Sequence, residues 1–259
     1  MTQRNQKGVH VTSPRTIATV TGWLFLITFM TSIPAQLVLY APMLKDPLYI
    51  LGGGPDAGVS LGALLEIILV VANIGTAVVL YPLVKRQNGT VALGYVTARV
   101  LESAAIMVGI FSVLSMLTLR QGLVGGADAE VLVPIGQALV ALHDASFLLG
   151  PGFLAPLGNG ILLGYLMFRS GLVPRGLALL GLVGGPLLIV AMVGVLFGVF
   201  AAGSQWQVVA TIPEFFWELL LGIYLVVKGF KPSPITAGFV SNDDKDAAMP
   251  QGVLQAAGA

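Results

Sequence analysis

The sequence contains no cysteine, and only 10% of its 259 residues are charged. Without cysteine there is no disulfide, no thiolate metal site and no cysteine nucleophile. Scarcity of charge excludes an ordinary soluble domain, which carries about a quarter charged residues and needs that polar surface to cover its core. Basic excess is also missing. The formal net charge is +1, so bulk electrostatics give no case for a nucleic-acid or acidic partner. Apolar residues, by contrast, make up 56% of the chain, and the mean hydropathy is +0.91. Lipid is the solvent that matches this composition.

Crossing roughly 30 Å of hydrocarbon takes about 20 apolar residues as a helix. Six segments qualify, at 17–40, 61–84, 91–119, within 142–168, 176–200 and 209–227. Helices are expected, because a backbone in lipid must satisfy its polar groups within its own segment, and glycine and proline are tolerated there. The first run exceeds a signal-peptide core of about 7–15 residues, so a retained span is expected. The fold class read from the sequence is therefore an all-α integral membrane bundle of six transmembrane helices. Its expected divisions are an N-terminal segment 1–16, a membrane domain 17–228 and a disordered cytoplasmic tail 229–259.

Basic residues set the orientation. Arg4, Lys7 and Arg15 precede span 1, Lys85 and Arg86 join spans 2 and 3, Arg169 and Arg175 join spans 4 and 5, and Lys228 and Lys231 follow span 6. The other face has only Lys45 and Arg120. The positive-inside rule then places both termini in the cytoplasm. Tyr40, Tyr81, Tyr165 and Trp206 at span ends suit interfacial belts. The run 131–168 would be about 57 Å long as one helix, nearly twice a crossing, and Gly150-Pro151-Gly152 interrupts it. A seventh span would send four basic residues outside, so a short interfacial or re-entrant helix at about 131–142 is expected, followed by a kinked span 4. Spans 1–3 and 4–6 would run in opposite orientations, as in inverted-repeat transporters, although little else matches between the halves.

Two stretches resemble a known family. The segment Leu163-Gly164-Tyr165-Leu166-Met167-Phe168-Arg169-Ser170-Gly171-Leu172-Val173-Pro174-Arg175 resembles one typical of a bacterial membrane family designated domain of unknown function 4386. The segment Glu218-Leu219-Leu220-Leu221-Gly222-Ile223-Tyr224-Leu225-Val226-Val227-Lys228-Gly229 is similar to that family's last helix, and Arg99 falls where such proteins carry an arginine. The likeness covers most of residues 15–230. It implies a multi-span protein of the bacterial inner (plasma) membrane and no established activity.

Seven ionisable residues fall in or near the spans: Glu66, Arg99, Glu102, His143, Asp144, Glu214 and Glu218. A charge at mid-helix costs about 2.5–3.5 kcal/mol on insertion scales, whereas each Leu, Ile, Phe or Val returns about 0.3–0.6. Span 3 has 13 such apolar residues, worth roughly 5–6 kcal/mol, and Arg99 with Glu102 cancels about that much. It therefore needs polar partners in the bundle. Tyr95, Arg99 and Glu102 share a face of span 3, Glu66 and Asn73 a face of span 2, and Thr211, Glu214, Glu218 and Gly222 a stripe of span 6. The expected candidate site is a cluster of Glu66, Asn73, Arg99, Glu102, His143, Asp144, Glu214 and Glu218 in the outer half of the bundle, with Arg99 at its floor.

Two function classes follow. In one, the charges only lock helices together, in a non-catalytic scaffold or partner subunit. In the other, five acids against one arginine and one histidine leave carboxylates without a counter-charge. Such groups can carry protons or ions in a small transporter for an unknown solute. An enzyme is disfavoured. His143, Asp144 and Ser146 lie on one helix and cannot adopt the opposed geometry of a triad. A lone intramembrane histidine without HExxH spacing argues against a metal, and no cofactor is expected. Gly52-Gly53-Gly54-Pro55 lacks the Lys-Ser/Thr of a phosphate loop. Gly160/Gly164, Gly181/Gly185 and Gly194/Gly198 allow close helix approach, within the chain or in a homo-oligomer. Pro186 and Pro213 mark expected kinks.

Overall fold

The computed structural model describes residues 13–52, 56–122 and 129–237. Among them, six helices are long and apolar enough to cross a membrane: α1 Pro14–Leu39, α2 Ala57–Val84, α3 Gly89–Gly122, α4 Glu130–Ser170, α5 Arg175–Leu196 and α6 Gln205–Val227. The chain is all-α and multi-pass. Each helix packs on the next, and α6 packs back on α1, so the six close into a ring. Ser13 caps α1 by accepting from the Thr16 amide at 3.2 Å, ahead of Pro14.

Small residues set the closest crossings. A Cβ on Gly22 of α1 would stand 2.7 Å from the Gly222 carbonyl oxygen of α6, and one on Gly160 of α4 would stand 2.6 Å from the Gly185 Cα of α5. On Gly181 it would meet the Trp217 ring at 2.8 Å. These glycine faces are thus occupied by intrachain packing.

The fourth helix is longer than a single crossing. It runs from Glu130 to Ser170 as one continuous helical stretch, of which 131–142 forms the first turns. The irregularity comes later, where Leu148–Leu154 and Pro156–Leu163 widen into π-helical turns. Pro151 and Pro156 lack the N–H that an α-helix would send back to Phe147 and Gly152, and the wider turns absorb this loss. At 41 residues, α4 is about 61 Å long. Its first turns run beside the far end of α3 and the short turn Tyr49–Leu51.

Two apolar clusters hold the ring. One lies at the end where α1 begins and α6 ends and includes Phe25, Leu80, Tyr95, Leu166, Met167, Trp217 and Leu221. The other lies at the opposite, distal end and includes Tyr40, Met43, Ile50, Ile106, Ile110 and Met116. Arg120, one of two distal cations in the sequence reading, is tied down: its Nε stands 2.9 Å from Asp56 Oδ1, and its guanidinium sits 4.1 Å from the Tyr49 ring centre. Burial lifts the Tyr49 hydroxyl above the ordinary phenol range, outweighing the opposite pull of Arg120.

Beyond α6, the expected tail begins with an ordered stretch. Lys231 donates its amide to the Leu172 carbonyl at 2.8 Å, and Ser233 Oγ donates to the Ser170 carbonyl at 2.6 Å. Arg86 donates to the carbonyls of Ile235 and Ala237 at 3.2 and 3.1 Å. Residues 238–259 of that tail, the N-terminal cations Arg4 and Lys7, and 53–55 of the glycine loop lie outside the described residues.

Candidate functional site

Between the two apolar clusters lies a cavity of about 240 Å³. Glu66 and Asn73 of α2, Arg99 and Glu102 of α3, and Glu214 and Glu218 of α6 all line it. Six of the eight residues singled out in the sequence therefore meet in one space. The amphipathic spacing explains this, since each pair lies on one face of its helix and that face is the one the ring turns inward.

At the centre is a closed triangle. Arg99 Nη1 donates to Glu102 Oε2 at 2.6 Å, Arg99 Nη2 donates to Asn73 Oδ1 at 2.5 Å, and Asn73 Nδ2 donates to Glu102 Oε1 at 3.1 Å. All three side chains are buried. Arg99 Nε has no partner. The one cation in the cavity wall is thus paired within its own helix.

The other carboxylates are served by neutral donors or by none. Glu66 accepts from Gln36 Nε2 at 2.7 Å and from the Tyr40 hydroxyl at 3.0 Å. Glu218 accepts from Asn159 Nδ2 at 2.5 Å. Asn159 is itself held by Trp217, whose indole N–H donates to the Asn159 carbonyl oxygen at 2.9 Å. Glu214 is 4% exposed, and neither of its carboxylate oxygens has a partner. It lies against Gly160 and Gly184, which have no side chain to fill the space. A Cβ on Gly160 would stand 2.6 Å from Glu214 Oε2, and one on Gly184 would stand 2.6 Å from the Glu214 amide nitrogen.

His143 and Asp144 part company. His143 is buried, with Nε2 3.3 Å from Gln36 Nε2 and its ring edge-on to Tyr40. Asp144, one residue on, has a side chain 67% exposed, 3.5 Å from His143 Nδ1. Both line a second hollow of about 360 Å³, together with Leu44, Ala202 and Gln207 at the distal end. Gln36 and Phe147 line both spaces. His143 therefore joins the cluster through Gln36 and Tyr40, both of which bond Glu66, and Asp144 faces away from it. Consecutive helical residues point about 100° apart, so the two could not both turn inward.

Sequence reasoning missed Gln36, Asn159 and the buried role of Tyr40. Tyr40, expected at a lipid interface, is fully buried. An amide between two glycines in an apolar run, Gly158-Asn159-Gly160, was a readable signal, because a buried amide needs partners. Among the described residues, no group of three or more His, Cys, Asp or Glu is arranged to hold a metal ion.

Neither the curated proteins nor the solved structures contain a match to the chain. The model of one family does match, over residues 20–229, and this span takes in every membrane helix but the start of the first. The chain therefore belongs to the membrane family described as domain of unknown function (DUF4386).

Proposed function

We propose that the protein is a small proton- or ion-coupled carrier of the bacterial inner membrane, with Glu102, Glu214 and Glu218 as its working acids. The supporting observation is the cavity, where four carboxylates face one arginine and that arginine is already paired. Ionisable groups inside a membrane bundle that turn toward a shared space are functional candidates by default. A carrier needs such a space to open toward one side while sealed toward the other. The hollow adjoining it through Gln36 and Phe147 lies at the distal end, and dense apolar packing closes the end where α1 begins and α6 ends. The excess of Lys and Arg at that closed end supports both termini being cytoplasmic. Pro186 in α5 and Pro213 in α6, flanking the Gly184–Glu214 contact, are the proposed hinges. The start of α4 at 131–142, beside the far end of α3, is proposed to lie at the outer interface, and any self-association to use surfaces other than Gly160, Gly164, Gly181 and Gly185.

The test uses proteoliposomes loaded with a pH dye and challenged in turn with an ammonium compound, a carboxylate, a sugar and an amino acid. At least one class should move protons in the wild type and fail to do so in Glu102→Gln and Glu218→Gln. Proton movement untouched by both substitutions removes the carrier reading; where no class moves protons, the same assay with a sodium or potassium gradient and a labelled solute decides it, and no coupled uptake there removes it.

One observation favours a scaffold instead. The Arg99–Glu102–Asn73 triangle pairs its one cation with a carboxylate and a neighbouring amide, as a purely structural lock between α2 and α3 would. Glu214 does not fit that role, because a lock leaves no carboxylate without a partner.

A further inference from the structure

We propose that the cavity at the centre of the helix ring is a binding site for a small organic ammonium ion, with Glu214 as its principal anchor. The inference rests on the carrier reading for its physiological meaning, but its physical basis is separate. The sign of the site comes first. Arg99 and Glu102 cancel, and no other cationic side chain lines the space. Glu66, Glu214 and Glu218 then remain, and their partners among the described residues are neutral or absent. A carboxyl buried without a donor is costly to ionise, and a ligand that brings positive charge or N–H groups lowers that cost.

Unspent acceptors point the same way. Both oxygens of Glu214, which lines the cavity, are buried and unpartnered. Two acceptor atoms without donors on the cavity wall match an ammonium group, which offers donors and no acceptor. An anion or a sugar would bring further acceptors to a wall that already has too many.

The remaining wall is apolar and aromatic. Phe29 of α1 and Phe215 of α6 meet edge to face, with ring centres 5.2 Å apart, and both line the cavity with Leu69, Ile106 and Leu188. Aromatic faces attract organic cations, and the apolar surface favours one that carries hydrocarbon over an inorganic ion with a tightly held water shell. A cavity of about 240 Å³ suits an amine of one ring or a few short alkyl chains.

The test measures binding to the full chain in nanodiscs by equilibrium dialysis. The probes are benzylammonium, its uncharged isostere ethylbenzene, and phenylacetate. All three share the ring and differ at the end of the side chain, so the comparison reads positive charge and N–H donors together. We expect saturable binding of benzylammonium, at least tenfold tighter than either other probe. Glu214→Gln should weaken it roughly ten- to hundredfold, the range for loss of a hydrogen-bonded charge partner. Asp46→Asn, on the exposed distal loop, should leave it unchanged. Equal affinity for phenylacetate or ethylbenzene, no binding, or full affinity in Glu214→Gln overturns the proposal. If Glu214→Gln does not fold, the three-probe comparison on the wild type decides the question, with Glu218→Gln as the second variant. Ammonium binding without proton movement or ion-coupled uptake in proteoliposomes would defeat the carrier reading and leave this site standing. Proton movement driven only by a carboxylate or sugar would do the reverse.

Discussion

Replacing Arg99 by leucine removes the cation of the buried triangle and strands two partners. Glu102, 4% exposed, loses its 2.6 Å ion pair, and Asn73, 2% exposed, loses the donor to its carbonyl oxygen. Breaking a buried pair from one side costs about 3–5 kcal/mol, because the surviving charge is left without compensation. Glu102→Leu strands Arg99 in the same way and at a similar cost. The double variant Arg99→Leu/Glu102→Leu leaves no buried charge, only the orphaned Asn73 amide, which costs about 1–3 kcal/mol. Additive effects would total roughly 6–10 kcal/mol. The structure therefore predicts a coupling energy of at least about 3 kcal/mol, well above the mean of about 0.6 for interhelical hydrogen bonds in membrane bundles. Steric trapping in bicelles can measure all four corners of this cycle. A coupling below about 1 kcal/mol would mean that water screens the pair, and the ion pair would then not be the buried centre of the triangle.

Three further outcomes follow from the packing and topology. Gly160→Ala should destabilise the bundle by about 1–3 kcal/mol, the usual cost of overpacking, because its Cβ would meet Glu214 and Gly185 at 2.6 Å. Gly58→Ala, with open space around it, should be neutral or stabilising by up to about 1 kcal/mol, and thermal unfolding in detergent compares the two. Trp217→Phe removes the donor to the Asn159 carbonyl and should cost about 1 kcal/mol, read in the same assay. Since the chain has no cysteine, single substitutions report topology cleanly: Ala201→Cys should react with a membrane-impermeant maleimide on whole cells, and Lys228→Cys only after lysis. The opposite pattern would invert the proposed orientation.

The residues legible in the sequence were those whose burial in lipid is expensive. Glu66, Arg99, Glu102, Glu214 and Glu218 stand out in apolar runs because no single helix could carry them alone, and helical spacing turned them inward together. Neutral amides send no such signal. Gln36, which bonds Glu66 and separates the two hollows, reads as one more polar residue near a span end. His143 and Asp144 look like a pair in sequence, but the helical turn sends one inward and leaves the other exposed on the second hollow. The form of α4 was obscured for another reason. Gly150-Pro151-Gly152 would end a soluble helix, whereas here neighbouring helices and widened turns carry the chain through. The ring order is a tertiary property, set by where glycines permit close crossing, and spacing along one chain does not encode which helix will be the neighbour.

The central claim is that the carboxylate cavity is hydrated from the distal side and sealed from the side where α1 begins and α6 ends. Cysteine at Ser32 or Thr211, both lining the cavity, should react in whole cells with the small cationic reagent 2-aminoethyl methanethiosulfonate, whereas cysteine at Thr21, fully buried near the closed end, should not. Protection of Ser32→Cys and Thr211→Cys to the same degree as Thr21→Cys would contradict the account.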